Sequence, residues 1–598
     1  MENCRVTVRK TYQQRQRRKT DPQNIDYIGA TGLERKTLTE RITKALDRLS
    51  SRTTIKYAVY ASAVILFFTL ILLPPIVGIF IEWNNIQFIL DQPPLVSRAL
   101  SAIQNSFIIA LVVAAFDLLA GIPMAWLIAR GKSRWLSAID TLADIPFIIP
   151  TTALGYSLLL FWSHADSGGL STLFGGSVVS PGWLLVMLLH FTFSFPVVVR
   201  TLVGALLDYK VEYERASRTL GAPPFTAMRT VTFPVLRPAM ISAFILAFAR
   251  SISETGATIV VAGVFENGSV FIQNMRTEFA VSSPALYDGA IVFASFILIA
   301  ISIAVFVAIR FLGPKLRLPL KRVRPLTERK LSYRGAERLR NSVTLVVFFA
   351  LILLPSLFVA FSAFQALLTP SFGNALTGSG VWSGYWQSLL LSYALGGVVT
   401  VINIIIGLPT AIIIARRKVG KFMSSIFDIL VNIPLVVPSI ALGVSLGIFW
   451  KASFALPDIV LLILAHLAIT YPYFIRSMSA ALERFNPGME EAARTLGAKP
   501  LGVFRTIVFP LTKYSLLSGA IMVFTRSVSE TGATLAVTTN LPTAPVLLVN
   551  WINTIRGVGT PIPGVTTFDV GLACGFLILF SFIILLALRL VAGREEKY

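Results

Sequence analysis

Long apolar stretches separated by short polar segments are the dominant pattern of this chain. Twelve of these stretches hold roughly 20 or more mostly apolar residues, the length of helix that crosses a hydrocarbon core about 30 Å thick. The predicted spans lie near residues 57–81, 103–129, 138–162, 182–205, 238–263, 286–312, 341–364, 388–415, 425–450, 457–480, 514–538 and 567–592. The pattern predicts an all-α integral membrane protein with twelve transmembrane helices.

The composition supports this prediction. Of 598 residues, 55% are hydrophobic and only 14% are charged, which leaves too little polar surface to cover a water-soluble globule of this size. No short apolar segment with a cleavage site precedes the first span, so we expect that span to stay in the membrane. The two cysteines, Cys4 and Cys574, have no spacing typical of a disulfide scaffold or a zinc site.

The positive charge is concentrated at particular points along the chain. The formal net charge is +23; residues 1–56 hold 14 Lys and Arg, and residues 313–340 hold ten more. Basic segments next to spans favour the cytoplasmic side, so we expect a multi-pass protein of the inner, cytoplasmic membrane with both termini in the cytoplasm. This distribution explains most of the excess charge, and no nucleic-acid partner is needed.

The basic tail contains one helical pattern. Its apolar positions recur at helical spacing among basic residues, and two interpretations remain open: a helix lying on the anionic inner leaflet of the membrane lipid, or a disordered positive anchor. The apolar positions are Leu38, Ile42, Ala45, Leu46 and Leu49.

An internal repeat divides the chain into two similar halves. Residues 218–234 match residues 494–510 at ten of 17 positions, an offset of 276, and residues 250–258 match 526–534 at the same offset. Six spans per copy give both halves the same orientation, with a pseudo-twofold axis along the membrane normal. The predicted domains are a basic tail at 1–56, a first transmembrane domain at 57–312, a basic linker at 313–340, a second transmembrane domain at 341–592, and a C-terminus at 593–598.

Each half carries a long polar loop between its fourth and fifth spans, at 208–237 and 484–513. In the second loop, strong helix formers precede Gly497, which predicts a short helix ending near that glycine, followed by a second short helix before Phe509-Pro510 leads into the next span. Such a loop is either a docking surface or a surface helix hairpin without a partner.

The second loop resembles the EAA loop of ABC-importer permeases. The sequence Glu491-Ala-Ala-Arg-Thr-Leu-Gly497, followed by Ile507-Val-Phe-Pro510, carries the resemblance, with phenylalanine where leucine is usual. The first copy departs from the pattern, since Arg215-Ala216-Ser217 replaces Glu-Ala-Ala, although Glu214 precedes it and Gly221 is retained. The resemblance covers roughly residues 90–590 and implies a fused, two-domain permease of the type I, MetI-like fold, similar to ferric iron and thiamine permeases.

This resemblance implies partners for the chain. In such permeases the loop forms a coupling helix that binds a separate ATP-binding subunit, so we expect an ATPase dimer and an extracytoplasmic solute-binding protein. The chain itself has no complete P-loop, and we expect it to bind no cofactor, with ATP used by the partner. The implied coupling residues are Glu214, Ala216, Gly221, Glu490, Glu491, Ala492 and Gly497.

Paired charges at membrane depth are the second candidate site. Glu254 lies about 16 residues after Pro238, which predicts a position roughly 24 Å along the fifth span, and Arg250 lies four residues before it. Charges are costly in lipid, so these side chains should face the bundle interior, either as structural salt bridges or as the lining of a translocation path or its gate. The candidate residues are Arg250, Glu254, Thr255, Arg526, Glu530 and Thr531. Gly256 and Gly532 would permit close helix approach at the same level.

Three further groups are weaker candidates. His190 and His466, in the fourth span of each half, are interpreted as hydrogen-bonded core residues, and Asp117, Asp144, Asp428 and Asn432 as buried polar contacts or helix caps. The proline pairs Pro146/Pro150 and Pro434/Pro438 should kink the third span of each half.

The function indicated is the permease of an ATP-driven solute importer, not an enzyme and with no metal site of its own. Ferric iron is the first substrate hypothesis, and thiamine, phosphonates, polyamines and oxyanions are alternatives. A secondary transporter driven by an ion gradient would also explain twelve spans and buried charges, but not two matched coupling loops. A membrane-bound enzyme is not favoured, because the sequence shows no cluster of a nucleophile, a base or metal ligands.

Overall fold

The computed structural model describes residues 47–48, 50–131, 134–163, 169–312, 315, 325–538, 540–558 and 561–593. These residues form helices and connecting loops, with no strand among them. The proposed helix around Leu38–Leu49 lies outside the described residues. Ten helices are long and apolar enough to cross a membrane, and two bent helix pairs bring the number to twelve. The predicted fold class, an all-helical membrane protein with two repeats, is confirmed.

The spans are numbered one to twelve in chain order. They are Thr53–Ile81, Pro93–Arg130, Trp135–Ile148 with Thr151–Trp162, Trp183–Asp208, Pro224–Ser253, Pro284–Leu312, Arg334–Ala366, Pro370–Ala415, Lys421–Val436 with Ser439–Phe454, Asp458–Arg484, Pro500–Val528 and Thr567–Ala587.

Spans three and nine are broken at a proline. Their two helices meet at 105° in span three and at 103° in span nine. Pro150 and Pro438 lie at the breaks, and the residue before each has an extended backbone, because a proline disfavours helical geometry in its predecessor. The predicted kinks are confirmed, but they are sharp breaks that redirect the chain.

The prediction for spans five and eleven is wrong at both ends. Their helices begin at Pro224 and Pro500, well before residues 238 and 514, because a π-helical turn carries the chain past Pro234 and Pro510 without a break. They end at Ser253 and Val528, so Glu254 is not inside a helix. Short separate helices follow, Gly256–Val261 and Gly532–Val537, which we call central helix one and central helix two.

The first span of each half packs against the other half. Span one lies along span nine, where Ser445 Oγ donates a 2.6 Å hydrogen bond to the Pro75 carbonyl, and span seven lies along span three, where Ser157 Oγ donates a 2.6 Å bond to the Pro355 carbonyl. Gly78 passes so close to Ser445 that a Cβ there would overlap its carbonyl oxygen. The two halves are therefore interlocked.

The polar loops of the two halves lie at one end of the bundle, which we call the loop end. Each contains a short helix, Glu212–Thr219 or Gly488–Thr495, here called loop helix one and loop helix two. The second short helix predicted after Gly497 is the turn Pro500–Val503, which is the start of span eleven. Each loop is also held by the segment that precedes a first span: Ser332 Oγ accepts a bond from the Phe225 amide at 3.1 Å, and Ser50 Oγ accepts one from the Leu501 amide at 3.3 Å.

Candidate functional site

In each half, the helix is interrupted at a buried glutamate close to the other half. Glu254 Oε1 accepts a hydrogen bond from the Ala257 amide at 3.2 Å, and Glu530 Oε1 accepts one from the Ala533 amide at 3.0 Å. Each carboxylate thus satisfies an otherwise unpaired amide in the first turn of a central helix, and its negative charge is favourable at that helix end. Each glutamate positions the central helix of its own half.

The two halves touch at these breaks. Thr152 Oγ1 and Thr531 Oγ1 lie 3.1 Å apart, and Thr255 Oγ1 lies 3.4 Å from Ser439 Oγ. A Cβ on Gly256 would lie 2.5 Å from the Thr531 side chain, and one on Gly532 would lie 2.7 Å from the Thr255 side chain. The backbones therefore meet more closely than any larger residue would allow, as predicted for the two glycines. We call this closed contact the central junction.

The histidines tie span four and span ten to the junction. His190 Nδ1 lies 2.8 Å from Ser251 Oγ and its Nε2 lies 2.9 Å from Thr258 Oγ1. His466 has the same distances to Ser527 and Thr534. Each ring joins the end of a long helix to the central helix that follows it, which confirms the interpretation of both as hydrogen-bonded core residues.

A buried arginine precedes each glutamate, but the two halves hold it differently. Arg250 Nη1 is 3.6 Å from Glu254 Oε2 and its guanidinium lies over the Phe193 ring, 5.0 Å from the centroid. Arg526 Nη1 is only 2.7 Å from Glu530 Oε2, and Tyr473 lies beside it. The Nε donors of both arginines have no hydrogen-bond partner among the described residues. Buried donors without partners are rare, and a bound water or ligand is one explanation for them.

The arginine–glutamate pairs of the two halves lie near each other. Arg526 and Glu530 lie within electrostatic range of Arg250, and Glu254 lies within range of Arg526. Four charges from two halves therefore form one buried cluster at the junction, formally neutral, with two guanidinium groups that present free donors. The predicted path residues Arg250, Glu254, Thr255, Arg526, Glu530 and Thr531 are all brought together here, while their role in transport stays a prediction.

Two further arginines join the halves on the side away from the loops, and sequence reasoning did not select them as site residues. Arg276 Nη1 donates to the Leu535 carbonyl of central helix two, and Arg556 Nη1 donates to the Val260 carbonyl of central helix one at 2.6 Å. Each arginine thus binds the C-terminal end of the other half's central helix, where a positive charge is favourable. The only sequence signal for them was that basic residues are rare in the predicted outward loops, where both arginines lie.

The predicted coupling residues lie at the loop end, some in the loop of the first half and the others in the loop of the second half. Gly221 and Gly497 end the loop helices with φ of +91° and +86°, the left-handed conformation that glycine adopts without strain. Leu220 and Leu496, just before them, are 88% and 89% exposed. Ala216, Glu491 and Ala492 are also exposed, and Glu214 is half-buried. The two loop helices therefore expose an apolar side chain at equivalent positions.

Glu490 differs from its neighbours because it is bonded inside the protein. Its Oε1 accepts bonds from Arg416 Nε at 3.1 Å and Nη2 at 2.7 Å, and Arg416 also lies over the Phe485 ring. In the first half, Arg130 lies over the equivalent Tyr209 ring, but no ion pair joins it to Glu214 in the described chain. Glu490 therefore anchors loop helix two to span eight.

Within the described part of the chain, no three His, Cys, Asp or Glu side chains gather in a group suited to a metal ion.

The comparisons with known proteins agree with this architecture. The family model described as binding-protein-dependent transport system inner membrane component matches residues 117–318 and again 407–594, once in each half. The chain is 33% identical over 205 residues to the sulfate transport system permease protein CysT of Salmonella typhimurium, covering 33% of this chain and 72% of that protein.

Two other relatives carry related names. The molybdate/tungstate transport system permease protein of Pyrococcus abyssi is 27% identical over 213 residues, covering 36% of this chain and 78% of the relative. The molybdenum transport system permease protein of Mycobacterium bovis is 29% identical over 194 residues, covering 31% and 69%. These proteins are permease subunits, which confirms the resemblance seen in the loops and the prediction that the chain is a transport subunit and not an enzyme. The chain belongs to the family of binding-protein-dependent transport system inner membrane components, as a fused permease of an ABC importer with both membrane domains in one polypeptide.

Proposed function

We propose that this permease carries a tetrahedral oxyanion along a path between its two halves, and that the central junction is the closed gate of that path. The observation that carries the proposal is the pair of buried arginines, Arg250 and Arg526, whose Nε donors lack partners beside the contact between the halves. Guanidinium groups present several donors in a fixed plane that suits oxyanions. Relatives named for sulfate and molybdate support the same cargo class.

Ferric iron is not confirmed as the cargo. The sequence suggested it because fused permeases of this kind resemble those for iron, but the relatives described above are named for sulfate, molybdate or molybdenum. Glu254 and Glu530, the carboxylates nearest the junction, are each engaged by a backbone amide and an arginine. For these reasons we propose sulfate or molybdate ahead of iron, thiamine, phosphonates and polyamines.

The loop helices are proposed to receive the force that opens the gate. Leu220 and Leu496 offer exposed apolar contacts, and Glu491 and Ala492 stand beside the second of them. A dimer of separate ATP-binding subunits would bind these two surfaces and supply ATP hydrolysis, since the chain carries no complete P-loop. The loop end is then cytoplasmic, with both termini on that side of the inner membrane, and a solute-binding protein docks on the opposite side.

Opening would proceed as a two-state change. Closure of the ATP-binding dimer would draw the loop helices together and rotate the interlocked halves, which separates Thr255 from Ser439 and Thr152 from Thr531. The Arg250–Glu254 and Arg526–Glu530 pairs lie within single halves, so they survive the separation and leave their unpartnered donors facing the opened path. Arg276 and Arg556 must release the opposite central helix in the same step.

The test is uptake by the full chain in vesicles, with its ATP-binding subunit and binding protein, using radiolabelled sulfate, molybdate and ferric iron. We expect ATP-dependent uptake of an oxyanion, reduced at least tenfold by Arg250→Lys or Arg526→Lys, which keep the charge but lose the planar fork. The control is Arg98→Lys, which alters an arginine bound to Glu266 and Glu278 away from the junction.

Two results would overturn the proposal in different ways. Uptake of iron in place of the oxyanions would refute the cargo class. Uptake driven by an ion gradient, in vesicles that contain this chain alone, would refute coupling to an ATPase and favour a secondary transporter.

A further inference from the structure

A cleft of about 310 Å³ opens at the loop end of the second half. Its walls are the end of span eight, the first helix of the broken span nine and the last turns of span ten. Arg476 lines it, and its Nε donates a 2.7 Å hydrogen bond to Asn432 Oδ1. Its Nη1 and Nη2 atoms make no hydrogen bond to any residue that the structure describes, so most of its donor capacity remains in the cleft.

Two buried hydroxyl groups line the same cleft. Ser424 is 4% exposed and Ser479 is 8% exposed, and neither side-chain oxygen has a hydrogen-bond partner among the described residues. Both serines lie in helices, where a serine hydroxyl commonly bonds to the carbonyl one turn earlier. Unpartnered buried hydroxyls are unfavourable unless something else occupies their bonding capacity.

The charge of the cleft favours an anion. Arg417 and Arg476 line it, and Arg310 stands behind Asp428 with its Nη2 2.7 Å from Asp428 Oδ2. Against these three arginines stand two carboxylates, Asp428 and Glu483, one of which Arg310 already engages. The formal sum is +1.

The first half provides an internal comparison. Arg200, the counterpart of Arg476, is engaged by two carboxylates, Asp140 at 2.6 Å and Asp144 at 2.6 Å, so these three residues sum to −1, against 0 for their counterparts Arg476, Asp428 and Asn432. Asn432 replaces Asp144 in the second half, and Asp428 pairs with Arg310.

The hydroxyl groups also differ between the halves. Where the second half has Ser424 and Ser479, the first has Leu136 and Val203. The free guanidinium and both hydroxyls are therefore features of the second half alone.

We propose that this cleft binds a tetrahedral oxyanion, held by Arg476 and Arg417 and by the hydroxyls of Ser424 and Ser479. Phosphate and sulfate have this chemistry, and so does the phosphate of an anionic lipid headgroup. The bound group would join span nine to span ten, with Ser479 nine residues before loop helix two begins at Gly488. This site is separate from the central junction and does not depend on which solute the permease carries.

The test uses the purified full chain in phosphatidylcholine nanodiscs, titrated with sodium phosphate or sulfate at constant ionic strength. Wild-type protein should show a saturable rise in Tm, and Arg476→Gln should weaken the apparent affinity at least tenfold. The double variant Ser424→Ala/Ser479→Ala should weaken it several-fold. Arg200→Gln, the matched change in the first half, should leave it unaltered. Comparison among variants also removes the general stabilisation that these salts produce by exclusion from protein surfaces.

A second variant keeps the proposal falsifiable if Arg476→Gln does not fold. Asn432→Asp recreates the first half's arrangement, because the new carboxylate would engage Arg476 directly, and it should abolish binding without loss of folding. A lipid source is tested in nanodiscs that contain phosphatidylglycerol: native mass spectrometry should then detect lipid retained by wild type and lost by Asn432→Asp, and added phosphate should raise Tm no further.

Three results would overturn the proposal. They are the absence of a saturable effect with either ion or with the lipid, equal binding by wild type and Asn432→Asp, and an equal loss of binding in Arg200→Gln.

Discussion

Where they meet, the two halves of this permease share most of their contacts, apart from the spacing of the buried Arg–Glu pairs, whereas at the loop end they differ. At the central junction, the bonds of His190 are repeated by His466 with the same distances, and Glu254 and Glu530 cap equivalent helices. At the loop end, Glu490 is bonded to Arg416, while Glu214 and Arg130 form no such pair. A gate on a pseudo-twofold axis needs matched sides, because each side is the other's contact surface. The two loops are not bound by this requirement and can differ.

The two loops are held by different means. Loop helix two is anchored by Glu490 to the end of span eight, whereas the loop of the first half is bound to the linker, where Glu328 accepts bonds from Thr226 Oγ1 and Arg229 Nη2, both at 2.6 Å. The two loops are therefore restrained by different residues. If both loops bind equivalent ATPase subunits, the two halves should differ in how readily their loops move.

The largest expected effect comes from breaking the anchor of the second loop. Glu490→Ala leaves Arg416, whose side chain is 9% exposed, without its carboxylate, and removal of one partner of a buried pair costs about 3–5 kcal/mol. Glu214→Ala should cost less than about 1 kcal/mol, as for a typical surface change. Denaturant titration of both purified variants measures the difference. Equal losses would show that the loops are held alike; the double variant Glu490→Ala/Arg416→Met should recover much of the loss.

Arg276 and Arg556, here called the crossed arginines because each binds the central helix of the other half, test the region where the halves are alike. Arg276→Gln should raise amide exchange in central helix two, and Arg556→Gln should raise it in central helix one, because each loses a charged hydrogen bond worth about 1.5–3 kcal/mol. Exchange should become roughly 10 to 100 times faster in the opposite half, which is measured by hydrogen exchange with mass spectrometry. Faster exchange in the same half would contradict the crossed arrangement.

The glycines of the junction test whether the two sides are equivalent. Gly256→Ala places a Cβ 2.5 Å from the Thr531 side chain and Gly532→Ala places one 2.7 Å from the Thr255 side chain, each in the other half, and overpacking of this kind costs about 1–3 kcal/mol. We expect similar losses of Tm in both variants and a measurable ATP-independent leak of solute from vesicles. Serine variants outside the contact, such as Gly373→Ser, serve as controls because nothing lies within 4 Å of that glycine's Cβ position. A loss confined to one variant would mean that the junction is not symmetric.

The smallest effects are expected at the serines that join each loop to the opposite half's first span. Ser332→Ala and Ser50→Ala each remove a neutral hydrogen bond to a loop amide, worth about 0.5–1.5 kcal/mol. Susceptibility of the loops to limited proteolysis should rise in both. Because Glu328 adds further bonds in the first half, Ser50→Ala should have the greater effect, and the opposite order would contradict the restraints described above.

Much of the architecture was accessible from the sequence. The apolar runs gave the number of spans, and the 276-residue offset gave the two halves, because both patterns are local and repeat in order along the chain. Gly497 was correctly predicted to end a helix, since a left-handed residue after strong helix formers is a local signal. The fused permease class followed from the loop motif.

Features that depend on distant residues were not predictable in this way. Spans five and eleven look continuous because the Ser-Glu-Thr-Gly-Ala segment is flanked by apolar residues on both sides, and only the packed structure shows the helix end at Ser253 and the central helix after it. The bond between Glu490 and Arg416 joins residues 74 positions apart. The same limit hid the crossed arginines, whose partners lie in the other half.

The exchange of spans one and seven has a consequence for how the protein can be divided. Since the first span of each half packs against the other half, we expect the two halves to stay associated without the connection between residues 312 and 325. After a protease cut there, the two fragments should remain associated. Fragments synthesised separately would each have to form the contacts of its first span with the other fragment.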